Sequence, residues 1–219
     1  MTAETSAFDI MADEYDAWYD SDQGRPLYES ELKCLKPLVP EGGLPLLEIG
    51  LGTGRFAMHF PGAYGLDPAF GALKLAQKRG IRCVNGVGEF LPFRDNVFKT
   101  VMIIATLCFI KEPLAILHET ARVLSPGGTV VIGFIPGGSP WGMLYEKKKR
   151  EGSVFYRDAR FYSLADIEGF AKEAGLCVTS IMSTLLQAPS GPARVEEPSA
   201  RYVEGAGFVF LKFEKKKDN

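Results

Sequence analysis

Between residues 44 and 135 the chain alternates short apolar runs with longer stretches whose apolar residues recur every three or four positions. That alternation predicts parallel strands joined by helical crossovers. LPLLEIG (44–50), AYGLD (63–67), IRCVNG (81–86), FKTVMIIAT (98–106) and TVVIGFI (129–135) read as strands. RFAMHF (55–60) reads as a short helix, PAFGALKLAQKRG (68–80) as a helix closed by Gly80, and EPLAILHETARVL (112–124) as a helix with Leu114, Leu117, Ala121 and Leu124 on one face. SPGG (125–128) turns that helix into the fifth strand.

Two helices precede the first strand. Phe8, Met11, Tyr15, Trp18 and Tyr19 form a stripe over 6–20, and Leu27, Leu32, Leu35 and Leu38 mark a second helix over 26–39. Beyond Pro136 the alternation loosens into an aromatic, glycine-rich segment. SLADIEGFAKEAG (163–175) follows as a helix, with Ser163 as its N-cap and Asp166 three residues on. CVTSIMSTLL (177–186) and GFVFLKFEK (207–215) are the last strands, separated by a proline-rich loop around 188–198. No repeat or linker divides the chain, so residues 1–219 are read as one domain. Its architecture is an open, twisted, mostly parallel α/β sheet of seven strands with helices on both faces, and its ligand belongs at the carboxyl ends of the strands.

Composition narrows the function classes. Hydrophobic residues make up 46% of the 219 and charged residues 24%, the balance of a globular protein with a packed core. A formal net charge of -2 provides no field for nucleic acid, and the basic runs KKKR (147–150) and KKK (215–217) read as solvated faces. Cys34, Cys83, Cys108 and Cys177 are widely spaced, without a CxxC pair, so neither a metal site nor a disulfide framework is expected. The acidic amino-terminal stretch has no signal-peptide pattern, and the longest apolar run, VMIIATLCFI, is too short to span a bilayer. A cytoplasmic location is expected.

The candidate chemistry lies in LPLLEIGLGTGRF (44–56). Gly50, Gly52 and Gly54 alternate across a strand-to-helix turn, which lets a ligand approach backbone. Gly52 to Ala57 also satisfies the GxGxxA form of the dinucleotide fingerprint, so a nucleotide-linked oxidoreductase stays open at this point. Spacing disfavours it: a dinucleotide site places its acid about 20 residues beyond the glycines, whereas Asp67 stands ten positions past Ala57. No Gly-Lys-Ser/Thr ending points to a nucleoside triphosphate.

The ordered strings Glu48-Ile49-Gly50-Leu51-Gly52-Thr53-Gly54, Gly65-Leu66-Asp67-Pro68, Gly88-Glu89-Phe90-Leu91-Pro92-Phe93 and Arg122-Val123-Leu124-Ser125-Pro126-Gly127-Gly128 resemble class I S-adenosylmethionine-dependent methyltransferases. They are most similar to the type 11, UbiE-like small-molecule branch. Tyr15-Asp16-Ala17-Trp18-Tyr19 and the segment from Phe161 to Leu176 extend the resemblance to both ends. It implies a Rossmann-like sheet with a helical cap at 1–43, a cofactor-binding core at 44–135, and an acceptor-pocket segment with the final strands at 136–219.

The resemblance further implies S-adenosylmethionine as cofactor and S-adenosylhomocysteine as product. It places Gly50, Gly52, Gly54 and Glu48 at the methionine end, Asp67 and Pro68 at the ribose, Gly88 and Glu89 at the adenine, and Thr106 and Leu107 where sulfonium and acceptor meet. Tyr15 belongs to a helix lying over the site, and Tyr19, Trp141, Tyr145 and Tyr156 to the acceptor pocket. Two positions depart from the family: Val87 and Lys99 stand where it usually has Asp.

In-line methyl transfer needs positioning more than a protein base, so no catalytic residue is assigned, and His59 and His118 read as packing or surface residues. The expected function is methyl transfer to a small-molecule acceptor. The alternative is a non-catalytic S-adenosylmethionine-binding or regulatory protein. Nucleic-acid methylation is disfavoured, because Ala105-Thr106-Leu107-Cys108 stands where Asn-Pro-Pro-Tyr would.

Overall fold

The computed structural model describes residues 7–216; Ser6, at the start of the first predicted helix, and Lys217, in the last basic run, lie outside them. Seven strands form one sheet in the order β3-β2-β1-β4-β5-β7-β6. They are β1 (Leu46–Ile49), β2 (Tyr64–Asp67), β3 (Arg82–Asn85), β4 (Phe98–Ile104), β5 (Leu124–Phe134), β6 (Leu176–Thr184) and β7 (Phe208–Lys215). The helices are α1 (Ala7–Ile10), α2 (Ala12–Trp18), α3 (Gly24–Leu35), α4 (Phe70–Lys78), α5 (Pro113–Val123), α6 (Pro140–Arg150) and α7 (Leu164–Glu173).

The seven expected strands are present, and the pairings among β3, β2, β1, β4 and β5 are parallel. The expectation of a mostly parallel sheet needs one correction. β7 runs antiparallel to both β5 and β6, so the last two pairings are antiparallel. Strand direction is set by how the chain returns to the sheet, which an apolar run does not encode. Other boundaries also shift. The first predicted helix breaks at Met11 into α1 and α2, RFAMHF contributes only a 3₁₀ turn at Ala57–His59, and SPGG is absorbed as a bulge within β5.

Side-chain alternation along the strands divides the core into two layers. Leu46, Met102, Val131, Phe208 and Phe210 face one side, where α3, α4 and α6 pack through Leu35, Leu73 and Trp141. Leu47, Ile103, Val130, Val209 and Leu211 face the other, against Ile116 and Leu117 of α5 and Ile167 of α7. The predicted cap of α7 forms a reciprocal capping box: the Asp166 N–H donates to the Ser163 hydroxyl at 3.2 Å, and the Ser163 N–H to the Asp166 carboxylate at 2.9 Å.

Gly133 on β5 sits beneath β7, paired with Phe210. A Cβ there would lie 2.6 Å from the Phe210 ring and 2.8 Å from that of Phe208. The two rings cover the glycine and lock the antiparallel strand in register. Gly133→Ala overpacks this contact and is expected to cost about 1–3 kcal/mol, read as a lowered denaturant midpoint with unchanged slope.

The amino-terminal helices are tied to the turn after β1 by an ionic cluster centred on Asp16. Its carboxylate accepts from Thr53 Oγ1 at 2.6 Å, Arg55 Nε at 2.8 Å and an Arg79 guanidinium nitrogen at 2.7 Å. Arg79 also donates to the Thr53 carbonyl at 2.7 Å, so α2, the glycine turn and the end of α4 share one network. Desolvation raises the Asp16 pKa, but the hydrogen bonds from Arg55, Arg79 and Thr53 outweigh it and bring the carboxyl from 3.8 down to about 2. A lowered folded-state pKa gives stability that is complete above the unfolded value and lost as the pH falls through the folded one. Asp16→Asn is therefore expected to lower stability by about 1–2 kcal/mol near neutrality. The difference from the unsubstituted protein should close between pH 3.8 and about 2 in thermal melts.

Candidate functional site

A cavity of about 480 Å³ opens at the carboxyl ends of β1, β2 and β4. This is where the strand order reverses between β1 and β4, the position expected for a ligand in an open α/β sheet. Its floor is the turn after β1, and its flanks are the tip of β2, the Val87–Glu89 loop and the residues after β4.

The three glycines of the turn serve different ends. Gly50, Gly52 and Gly54 all have positive φ, at 73°, 53° and 82°. A Cβ on Gly50 would collide with the Thr106 side chain, and one on Gly54 with Ile81 of the loop before β3. At Gly52 a Cβ would meet nothing within 4 Å, so this residue leaves its space to the cavity. Gly50 and Gly52 line the cavity; Gly54 packs α4 against the turn and does not line it.

Two buried carboxyls border that turn. Asp67, 8% exposed, accepts the Gly52 N–H at 2.7 Å on one oxygen and the Ala69 N–H at 2.8 Å on the other. Burial raises its pKa, and these two backbone donors work against that rise. Each oxygen keeps a lone pair for a further donor. Glu48, 2% exposed, leaves Oε2 without a partner among the described residues. Burial pushes its carboxyl up to about 8; the Ala57 N–H opposes the shift and the neighbouring Asp67 charge adds to it. A buried acceptor left unsatisfied is costly unless something else donates to it.

The loop that carries Val87, Gly88 and Glu89 is held from behind by α5. Arg122 donates to the carbonyls of Phe93 and Leu91 at 2.8 and 3.0 Å and to Glu119, while Glu119 accepts the Leu91 N–H at 2.7 Å. The LPF and RVL strings, far apart in sequence, are two sides of this brace. A Cβ on Gly88 would collide with Ile116, so the loop lies directly on α5. Val87 is exposed and lines the cavity where the family usually has Asp. Lys99 projects to solvent from β4.

After β4, Ala105 adopts φ 51°, a left-handed conformation uncommon for a residue with a Cβ. It turns the chain so that Thr106 reaches back, its hydroxyl donating to the Ile104 carbonyl at 2.8 Å. Thr106 lines the cavity; Leu107 points into the core beside α5.

The roof is aromatic. Phe8 contacts Tyr15, Phe109 and Phe155 with centroid separations of 5.1, 5.0 and 5.3 Å, and Tyr15 contacts Phe155 at 5.7 Å. Tyr15 and Tyr19 share a hydrogen bond between hydroxyls at 2.9 Å, and both line the cavity. Phe8 and Phe109 also line the cavity, beyond the residues expected there. The apolar stripe of the first helix and the aromatic that follows β4 were the available signals.

Of the expected pocket residues, Trp141, Tyr145 and Tyr156 do not line this cavity. Trp141, in the first turn of α6, is buried against Gly207 with its indole N–H on the Gln187 carbonyl at 2.8 Å, a core contact between residues remote in sequence. Tyr145 packs on Tyr156 at 4.7 Å, and Tyr156 stacks on the cavity-lining Phe109 at 6.5 Å, one layer behind the wall. His59 bonds the Tyr28 hydroxyl at 2.7 Å and His118 is exposed; neither reaches the cavity. No helix among the described residues is long and apolar enough to cross a membrane.

Comparison with known proteins gives a consistent picture. Residues 47–132 match a family described as a methyltransferase domain. An uncharacterised Mycobacterium tuberculosis protein is 46% identical over 199 residues, covering 90% of this chain and 70% of its own length. Demethylmenaquinone methyltransferase of Corynebacterium kroppenstedtii is 35% identical over 101 residues, 44% of each chain. A crystal structure from Thermotoga maritima is 35% identical, with a TM-score of 0.87 over 95% of this chain and 98% of its own. That protein is described as an S-adenosylmethionine-dependent methyltransferase, "possible histamine N-methyltransferase". With the fold, the glycine turn and these relatives in agreement, the chain belongs to the S-adenosylmethionine-dependent methyltransferase family.

Proposed function

We propose that this protein transfers a methyl group from S-adenosylmethionine to a small-molecule acceptor in the cavity at the carboxyl ends of β1, β2 and β4. The observation that carries the reading is the cavity's polar plan. One glycine without a side-chain neighbour lies between two buried carboxyls, one with spare lone pairs and one with an orphaned oxygen.

That plan fits the cofactor's donors. Asp67, next to Pro68, is an acceptor for the ribose hydroxyls. Glu48 is an acceptor for the amino group of the methionine moiety, whose positive charge would ionise a carboxyl that burial otherwise holds up to about 8. Gly50 and Gly52 admit the methionine chain, with Gly54 supporting their turn from behind. Gly88 and Glu89 lie at the adenine edge, where Val87 provides an apolar contact in place of the usual acceptor. Thr106 stands at the reacting end, backed by Leu107.

The bound sulfonium supplies an electrophilic methyl. This chain's residues position the partners and exclude water: Phe8, Tyr15, Phe109 and Phe155 close an apolar roof over the reacting space. A cavity of about 480 Å³ is of the size that small-molecule sites occupy. The Thermotoga relative's description, which names a small amine, supports an acceptor of that scale.

Calorimetric titration with S-adenosylhomocysteine is the direct test, with one-site binding expected. Asp67→Asn puts an amide donor where two backbone donors and two hydroxyls need acceptors. It should weaken that binding by about 10- to 100-fold. Absence of binding by the unsubstituted protein would overturn the reading.

A further inference from the structure

Charge divides the cavity. Glu48 and Asp67 border the glycine turn, whereas three cations line the remaining wall: Arg55, Lys111 and Arg157. Arg55 is committed to Asp16 and Asp20. The other two are not. The Lys111 side chain makes no hydrogen bond or ion pair among the described residues, and Arg157 has a single contact there, its Nε to Asp158 at 3.3 Å. Those two side chains are 73% and 74% exposed, and an exposed pair of that kind holds its partners weakly. It also leaves both terminal nitrogens of the guanidinium without an acceptor among the described residues.

Lys111 and Arg157 come from segments that the fold joins. Each stands two residues beyond a ring of the roof, Lys111 after Phe109 and Arg157 after Phe155, and both rings close on Phe8, at 5.0 and 5.3 Å. Behind that contact the Arg160 N–H donates to the Cys108 carbonyl at 2.7 Å, and Tyr156 stacks on Phe109 at 6.5 Å. The rings are half-buried and the cations exposed, so the apolar wall ends in positive charge at the cavity's mouth. Two further carboxyls line the cavity. Asp158 stands beside Arg157, and Glu89, which the methyl-transfer reading puts at the adenine edge, pairs with neither cation. Asp158 therefore answers one of the two charges and leaves the other unmatched.

Resting on the methyl-transfer reading above, we propose that Lys111 and Arg157 select the acceptor, and that the acceptor is a small molecule with an apolar or aromatic body and a single carboxylate. The body lies along Phe8, Phe109 and Phe155, the carboxylate meets the two cations at the mouth, and the opposite end turns toward Thr106, where the methyl group arrives. One carboxylate matches the one unanswered positive charge. Held at the mouth, it keeps part of its hydration and escapes most of the penalty of burying a charge. The two terminal nitrogens of Arg157 form the fork that a carboxylate fits, and Lys111 adds a point charge beside it.

The experiment is calorimetry on the full chain loaded with S-adenosylhomocysteine, titrated with phenylacetate, phenylacetamide and phenethylamine, which are alike in ring and length and differ in charge. We expect the carboxylate to bind about tenfold or more tightly than the amide, with the amine weakest. Raising the salt from about 50 to about 500 mM should narrow the gap between carboxylate and amide, because charges at a mouth are screened. Lys111→Met and Arg157→Gln should each weaken carboxylate binding by about three- to tenfold and leave the amide within about twofold. The double reversal of Lys111→Glu with Arg157→Glu should place the amine above the carboxylate, a change of order that lost packing does not produce. The comparison of carboxylate with amide on the unsubstituted protein decides alone if a variant fails to fold. Amide or amine binding as tight as the carboxylate, binding of none of the three, or carboxylate binding that both single variants leave unchanged would refute this inference alone. So would weaker S-adenosylhomocysteine binding by Lys111→Met or Arg157→Gln, which would assign the cations to the cofactor's own carboxylate. Failure of the unsubstituted protein to bind S-adenosylhomocysteine would overturn the reading beneath it.

Discussion

The Asp67 carboxylate is the joint on which the site is assembled. It ends β2, and its two oxygens reach in opposite directions, one to the Gly52 N–H in the turn after β1 and one to the Ala69 N–H at the start of α4. Burying a carboxylate is costly without compensation, and each charge-assisted backbone bond returns about 1.5–3 kcal/mol. The turn is therefore fixed before any ligand arrives, and Gly52 is held in the backbone conformation that keeps its space free. A site preorganised in this way does not have to order a loop on binding.

The other inward-facing carboxyls contrast with Asp67. Among the described residues Glu48 has one unsatisfied oxygen and Glu31 has no hydrogen-bond partner, and burial moves both up to about 8. A sequence selected for stability alone would place apolar residues at these positions. Retaining a carboxyl at Glu48 makes physical sense if a cation meets it at the glycine turn. The protein accepts local instability where its ligands complete the structure, the pattern expected of functional sites.

Much of this architecture was legible in the sequence, for reasons that particular residues make clear. Apolar runs located the central strands because a strand buried on both faces has no polar positions to hide it, as at Val101, Met102 and Ile103. The Ser163–Asp166 spacing gave the cap of α7 because both partners lie within one turn. Gly50, Gly52 and Gly54 were recognisable as a turn, but their separate duties were not: Thr106 and Ile81 are the neighbours that exclude side chains from two of them, and both are remote in sequence. The same remoteness hid the Asp16 cluster, whose arginines lie 39 and 63 residues away. Trp141, Tyr145 and Tyr156 were legible as an aromatic group and not as a layer behind the cavity, because a stripe of rings does not reveal which side faces solvent, core or ligand.

The cover over the cavity differs in kind from its floor. β1, β2 and β4 are fixed by parallel pairing and by apolar layers on both faces. α1 has four residues and α2 seven, lengths at which a helix has little stability of its own. What holds them down is the Asp16 cluster at one end and the rings of Phe8 and Tyr15 at the other, contacts made through side chains and not through a backbone ladder. The remaining side of the roof, Val154 to Asp158, is a segment without helix or strand. Local opening is easiest where few backbone bonds must break. The rigid sheet thus sets the geometry of the cavity's floor, while the amino-terminal helices and the 154–158 segment form the part of its wall least held by backbone pairing.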